Sequence, residues 1–357
     1  QLMLEESPHN AGIFRVAFSN DGSKLVTASG DCTSRVLRMP LSRHGSEGRT
    51  CVGHDGPVTS ALFSHDRKLV ITSSFDRSAR VWDPKRKSAT VLNICFRQGN
   101  KAPLSSGSSS AAAPTTSGRG STASSSATRR RDPSLSNLDP FPDEVRDARF
   151  YYKDRFISLS SGSKMYVYKY FIQDSPKDDL KRLSNQSRCK LCHEVPIDGQ
   201  NITSYATANS FLSNLHFMGG SDKTLYIYDL ARESFVRSIA QAHDKVVQRI
   251  HLNEWMTSIE HSPDTQNMFL TSSVDGCIKL WDLRAERPVC RYSSHSNRIH
   301  NIGVSFSPCL RYMACGSENK CAYLYDLSSA KVVHKYKGQT DAVTDVCFNP
   351  VLPQLVT

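Results

Sequence analysis

Hydrophobic and polar positions alternate along most of the chain in short runs, such as VTSALF and KLVITSS, separated by polar turns such as SHDR. Runs of this length, bounded by Asp, Gly, Asn and Ser, predict strands rather than helices. The pattern also repeats. Six segments align so that one position falls six residues before an aromatic or large apolar one: Asp31 to Leu37, Asp76 to Trp82, Gly162 to Tyr168, Asp222 to Tyr228, Asp275 to Trp281 and Asn319 to Tyr325. A histidine precedes this position by 22 residues in two copies (His9, His54), by 24 in another (His295) and by 32 in a fourth (His243), where an insertion near Asn253 to Thr257 accounts for the excess. Each repeat is thus a small antiparallel meander of about four strands, which cannot bury both of its faces alone; radial stacking of copies gives a propeller.

The stretches GHDGPV…FDRSARVWD (53 to 83) and AHDKVV…VDGCIKLWD (242 to 282) resemble the WD-repeat family. The expectation is an all-β, seven-bladed WD-repeat β-propeller occupying 1–357 as one domain. Its blades fall at about 9–50, 51–98, 140–198, 199–240, 241–292, 293–334 and, truncated, 335–357. The N-terminal QLML could lend the last blade a strand, as propellers of this family do. The chain reads as a piece of something longer.

His54 with Asp76, or His243 with Asp275, could be a general-base pair awaiting a nucleophile. The resemblance implies instead a buried hydrogen-bond relay in each blade, running from histidine through a strand hydroxyl (Thr72 or Ser74; Ser272 or Ser273) to aspartate and the indole of Trp82 or Trp281. Recurrence favours the relay, because a catalytic pair is needed only once. Blades two and five carry the full set, blade one has Leu37 for tryptophan, blade six has Asn319, and blade three lacks both histidine and aspartate and should be the loosest. Some WD-repeat proteins that act as substrate receptors of cullin-based ubiquitin ligases dock through W-D-x-R. By resemblance the equivalent residues are Asp275, Trp281, Asp282 and Arg284.

Composition changes this picture little. The chain is 38% hydrophobic and 22% charged, without a membrane span or a secretion signal. Eleven scattered cysteines argue for reduced thiols in an intracellular setting. The net charge of +11 favours acidic partners, tubulin tails among them. Nucleic-acid binding, without a stripe of interleaved basic and aromatic residues, should be weak and salt-sensitive. Residues 99–139 are Ser-, Ala- and Thr-rich and should be disordered; there Arg131 lies three residues before Ser134, a pattern a basic-directed kinase could use. CKLCH (189 to 193) has haem or half-zinc spacing, but in the expected outer strand of blade three Cys189 and Cys192 point to opposite faces. With no phosphate loop, dinucleotide fingerprint or nucleophile elbow, the expected function is a non-catalytic protein-interaction scaffold in a cytoplasmic, cytoskeletal or ciliary assembly, without cofactor or metal. A ligase receptor is the leading alternative.

Overall fold

The computed structural model describes residues 9–40, 48–85, 89–94, 96, 140–172, 187–198, 200–211, 213–253 and 263–357. The segment 99–139 with Ser134, the N-terminal QLML and the insertion after Asn253 lie outside them. Among the described residues six four-stranded antiparallel sheets follow one another along the chain. The first comprises β1 (Ile13–Phe18), β2 (Lys24–Ser29), β3 (Thr33–Arg38) and β4 (Arg49–Val52); the second β5 (Val58–Phe63), β6 (Val70–Ser74), β7 (Ala79–Asp83) and β8 (Ala89–Ile94). The third comprises β9 (Val145–Tyr151), β10 (Phe156–Ser161), β11 (Lys164–Phe171) and β12 (Arg188–Pro196); the fourth β13 (Ile202–Thr207), β14 (Leu215–Gly220), β15 (Leu225–Asp229) and β16 (Ser234–Ile239). The fifth comprises β17 (Val247–Leu252), β18 (Met268–Ser273), β19 (Cys277–Asp282) and β20 (Cys290–Tyr292); the sixth β21 (Val304–Phe306), β22 (Tyr312–Cys315), β23 (Cys321–Asp326) and β24 (Val332–Lys337).

The count of seven blades is corrected to six. The stretch expected to form the last blade first completes β24 of blade six and then gives only β25 (Cys347–Phe348) and β26 (Leu355–Val356), paired through Cys347↔Val356 and Phe348↔Leu355. After Lys337 there is one alternating run, DAVTDVCF, and then NPVLPQLV, whose Pro350 and Pro353 remove ladder donors. The resulting two-stranded ribbon packs between β21 and β1.

The first strand of each blade is innermost, and consecutive innermost strands touch around the ring. The core is divided into clusters between neighbouring blades. Trp82 packs with Val26, Ala28 and Val36 of blade one, and Trp281 with Phe217, Leu225 and Ile227 of blade four. Phe141, fully buried, packs against Tyr166 at 5.3 Å between ring centroids. This sandwiching of one meander by the next lets strands that are apolar on both faces leave water.

Candidate functional site

Three blades carry the same constellation. In blade two His54 Nδ1 lies 2.7 Å from Asp76 Oδ2 and His54 Nε2 2.7 Å from Thr72 Oγ1, while Trp82 Nε1 donates to Thr72 Oγ1 at 2.8 Å. Blade five repeats it with His243, Asp275, Thr271 and Trp281 at 2.9, 2.7 and 2.8 Å. Blade one keeps His9, Asp31 and Thr27, at 2.9 and 2.6 Å, without an indole.

Only one assignment of protons satisfies blade two. An indole N–H can only donate, so Thr72 accepts from Trp82 and passes its own proton to His54 Nε2; His54 then donates from Nδ1 to the carboxylate. Burial pushes the His54 imidazole below its ordinary range, which keeps it neutral at pH 7. Burial alone would raise the Asp76 carboxyl, but hydrogen bonds from His54 and Ser78 and the nearby Arg80 guanidinium outweigh it and hold it at about 2. The carboxylate also ties down the turn, accepting the backbone N–H of Asp55 and of Ser78.

One sequence assignment needs correction. The hydroxyl in blade five is Thr271, not Ser272 or Ser273: Ser272 donates to the Ile302 carbonyl, and Ser273 accepts the Asp275 N–H. Ser74, the equivalent of Ser273, likewise accepts the Asp76 N–H and reaches the Gly56 and Pro57 carbonyls. Thr72 and Thr271 each sit ten residues before their tryptophan, on the strand face that looks at it.

Elsewhere the set decays. His295 reaches Tyr325 Oη at 3.2 Å, Cys315 stands at the threonine position, and Asn319 donates to Tyr323 Oη at 2.6 Å. In blade four Asp222 accepts from Tyr226 Oη at 2.7 Å. The residues aligned with W-D-x-R separate: Asp275 and Trp281 lie inside the blade, whereas Asp282 and Arg284 are at the surface. Arg284, its side chain 56% exposed, grips Asp282 through Nε (3.1 Å) and Nη2 (2.8 Å) and Asp264 through Nη1 (2.7 Å). In β12 Cys189 is buried and Cys192 exposed; among the described residues no His/Cys/Asp/Glu group could hold a metal.

A second polar network, which the sequence reading missed, lines the axis. Near the start of each of the first five innermost strands the register slips, between Ile13 and Arg15, Val58 and Ser60, Val145 and Asp147, Ile202 and Ser204, and Val247 and Arg249. Such bulges re-aim the side chain that follows. Arg15 Nη1 donates to both Ser60 Oγ and Asp147 Oδ2 at 2.8 Å, Ser60 Oγ donates to Asp147 Oδ1 at 2.9 Å, and Arg149 Nε approaches Asp147 at 3.4 Å. Burial would raise the Asp147 carboxyl, but the Arg15 and Arg149 cations overcome it and lower it. Beside the ribbon, Asp345 accepts the Val16 N–H at 2.8 Å and faces Arg249 at 3.6 Å, seated where a side chain on Gly303 would collide with it. The sequence signal was available: GIFRVAF, EVRDARF, VVQRIHL and AVTDVCF each place at least one charged residue inside a strand run.

Comparison with known proteins agrees with this distribution. The WD domain, G-beta repeat family matches residues 3–36, 45–83, 244–282 and 286–326, which fall on blades one, two, five and six. The cytoplasmic dynein 1 intermediate chain of Drosophila melanogaster is 29% identical over 43% of this chain and 20% of its own length. The E3 ubiquitin-protein ligase COP1 of Arabidopsis thaliana is 25% identical over 41% and 21%, and the ribosome biogenesis protein YTM1 of Debaryomyces hansenii 22% over 77% and 54%. The chain therefore spans about half or less of the length of these relatives. Among the described residues no helix is long and apolar enough to cross a membrane. Repeat matches, meander topology and the recurring His–Thr–Asp sets agree: the chain is an all-β propeller whose blades one, two, five and six match the WD domain, G-beta repeat family.

Proposed function

We propose that the chain is a non-catalytic protein-interaction scaffold, with 1–357 forming a single propeller domain inside a larger cytoplasmic assembly. One observation carries this. The arrangement that most resembles a hydrolytic triad, Thr72–His54–Asp76, recurs in blades one and five, and in blades two and five an indole N–H also donates to the hydroxyl. Thr72 and Thr271 are 0% exposed, so no substrate reaches them, and one lone pair of each hydroxyl is already taken by an indole N–H. Rigid loops on a disc suit binding rather than bond-making.

Within that reading, a cytoskeletal or ciliary assembly draws support from the likeness to a dynein intermediate chain. FYYKDRFISLSSGSKMYVYKY and SFSPCLRYMACGSENKCAYLYDL are also similar to the C-terminal half of WD-repeat-containing protein 27. Proximity labelling of the full-length protein in cells tests the scaffold: a stable set of protein neighbours is expected, and their absence would overturn it. The alternative, a receptor for a cullin-based ubiquitin ligase, draws on the exposed Arg284 and on the likeness to COP1. Arg284 is already engaged by Asp282 and Asp264, which leaves it less to offer a partner. Co-purification of the cullin adaptor, lost in Arg284→Ala, would select the alternative.

A further inference from the structure

The turn joining β9 to β10 is built unlike the others. Tyr152, Lys153 and Asp154 all have positive φ, 54°, 49° and 61°, a left-handed run that side-chain-bearing residues avoid. Three blades hold it in place. The Asp154 carboxylate accepts the backbone N–H of His65 (2.8 Å) and Asp66 (3.0 Å) from blade two and Asn209 Nδ2 (2.7 Å) from blade four, while Tyr170 Oη of blade three donates to the Asp154 carbonyl at 2.6 Å. Strain that is this over-determined marks places where a protein displays something.

What is displayed is cationic and aromatic. Phe211, on the corresponding loop of blade four, is 44% exposed; Tyr152 meets it edge-on at 4.7 Å. Lys153 Nζ stands 4.9 Å from the Phe211 ring centroid and Arg155 Cζ 5.6 Å. Both cations are exposed, and among the described residues neither is paired with a carboxylate, whereas Arg67, Lys164 and Arg284 each are. Their N–H donors thus have no carboxylate partner among the described residues and lie beside the Phe211 ring.

We infer that Tyr152, Lys153, Arg155 and Phe211 form a docking surface for an acidic peptide segment of a protein partner. Carboxylates would take the unused donors of Lys153 and Arg155, a charge-assisted interaction. A nucleic-acid strand fits less well, because it would stack a base on Phe211 and the Lys153 and Arg155 cations already cover that ring. The inference deepens the scaffold reading and rests on it only in taking the partner to be a protein.

The test is a fluorescence-anisotropy titration of the full chain with a labelled oligoglutamate peptide and, separately, a labelled oligothymidylate. Saturable peptide binding is expected that weakens with salt, falls about tenfold or more in Lys153→Glu/Arg155→Glu, and is unchanged in Lys331→Glu on blade six. Equal loss in both variants would mean a general charge effect and overturn the surface. So would tighter binding of the oligonucleotide than of the peptide. Phe211→Leu keeps the loop's apolar bulk but removes the ring; it should weaken the peptide with an unchanged melting temperature, and full retention of binding would remove Phe211 from the site. Proximity labelling with the double variant separates the two readings: neighbours retained by it sink this surface and spare the scaffold, whereas no neighbours for the native chain sink the scaffold itself.

Discussion

At the scale of single residues, the position after the blade aspartate, which is Asn319 in blade six, is left-handed in five blades, with φ of 67° at Cys32, 62° at Arg77, 68° at Lys223, 78° at Gly276 and 63° at Lys320. Blade five alone uses glycine there. A side chain in this region costs about 1–2 kcal/mol, part of which glycine gives back through its looser unfolded chain. Lys320→Gly should therefore raise stability by up to about 1 kcal/mol in urea unfolding, and a loss of that size would show that the Lys320 side chain matters more than its backbone. The threonines offer a paired comparison. Thr72→Val leaves both an indole N–H and the His54 Nε2 unpaired, whereas Thr27→Val strands only His9. The first should cost about 1–3 kcal/mol more than the second, one unsatisfied buried donor; equal costs would mean that the indole bond contributes nothing.

Among the strands, closure depends on how the ribbon is held. Thr344 donates to the Ile13 carbonyl at 2.5 Å and Asp345 accepts the Val16 N–H, so the segment leading into β25 stitches onto β1, while Gly303 N donates to the Thr344 carbonyl at 2.7 Å and ties it to β21. Asp345→Ala strands the Val16 N–H and deprives Arg249 of its carboxylate, which should cost about 3–5 kcal/mol. Amide exchange in β1 and β21 should accelerate before that in β5 or β9; uniform acceleration would mean the ring opens elsewhere. The blades themselves were legible in the sequence, because a two-residue period and a polar turn act locally. The ribbon was not, since a run such as DAVTDVCF looks the same whether or not partner strands follow. Thr271 was missed for a related reason: MFLTSS offers three adjacent hydroxyls, and the register against Lys279 and Ile278, like the ten-residue spacing to the tryptophan shared with Thr72, picks out the one that faces the indole. The axial belt depends on five bulges, which shift register without changing the pattern.

Taken as a whole, the molecule buries histidines that must stay neutral. Burial pushes His216 and His251 down to about 3 and His295 to about 4, from an ordinary 6.5, with Arg149, Arg15 and Arg249 adding to the effect at His251. Below about pH 6 the unfolded chain therefore binds protons that the folded chain refuses, so stability rises with pH in that window and is lost on acidification toward pH 4. Each histidine contributes about 1.4 kcal/mol per pH unit there. Unfolding free energy should fall steeply between about pH 6 and pH 4, and a flat profile would mean that these side chains reach water in the native state. The central claim, that the His–Thr–Asp sets are sealed inside the blades and unavailable for chemistry, is tested most directly by hydrogen exchange at the Trp82 and Trp281 indole N–H groups. They should exchange only through global unfolding, with a free energy close to that from urea, and Thr72→Val should speed both by the amount that it lowers that free energy. Indole exchange at the rate of a free tryptophan would place both networks in contact with solvent and contradict the account.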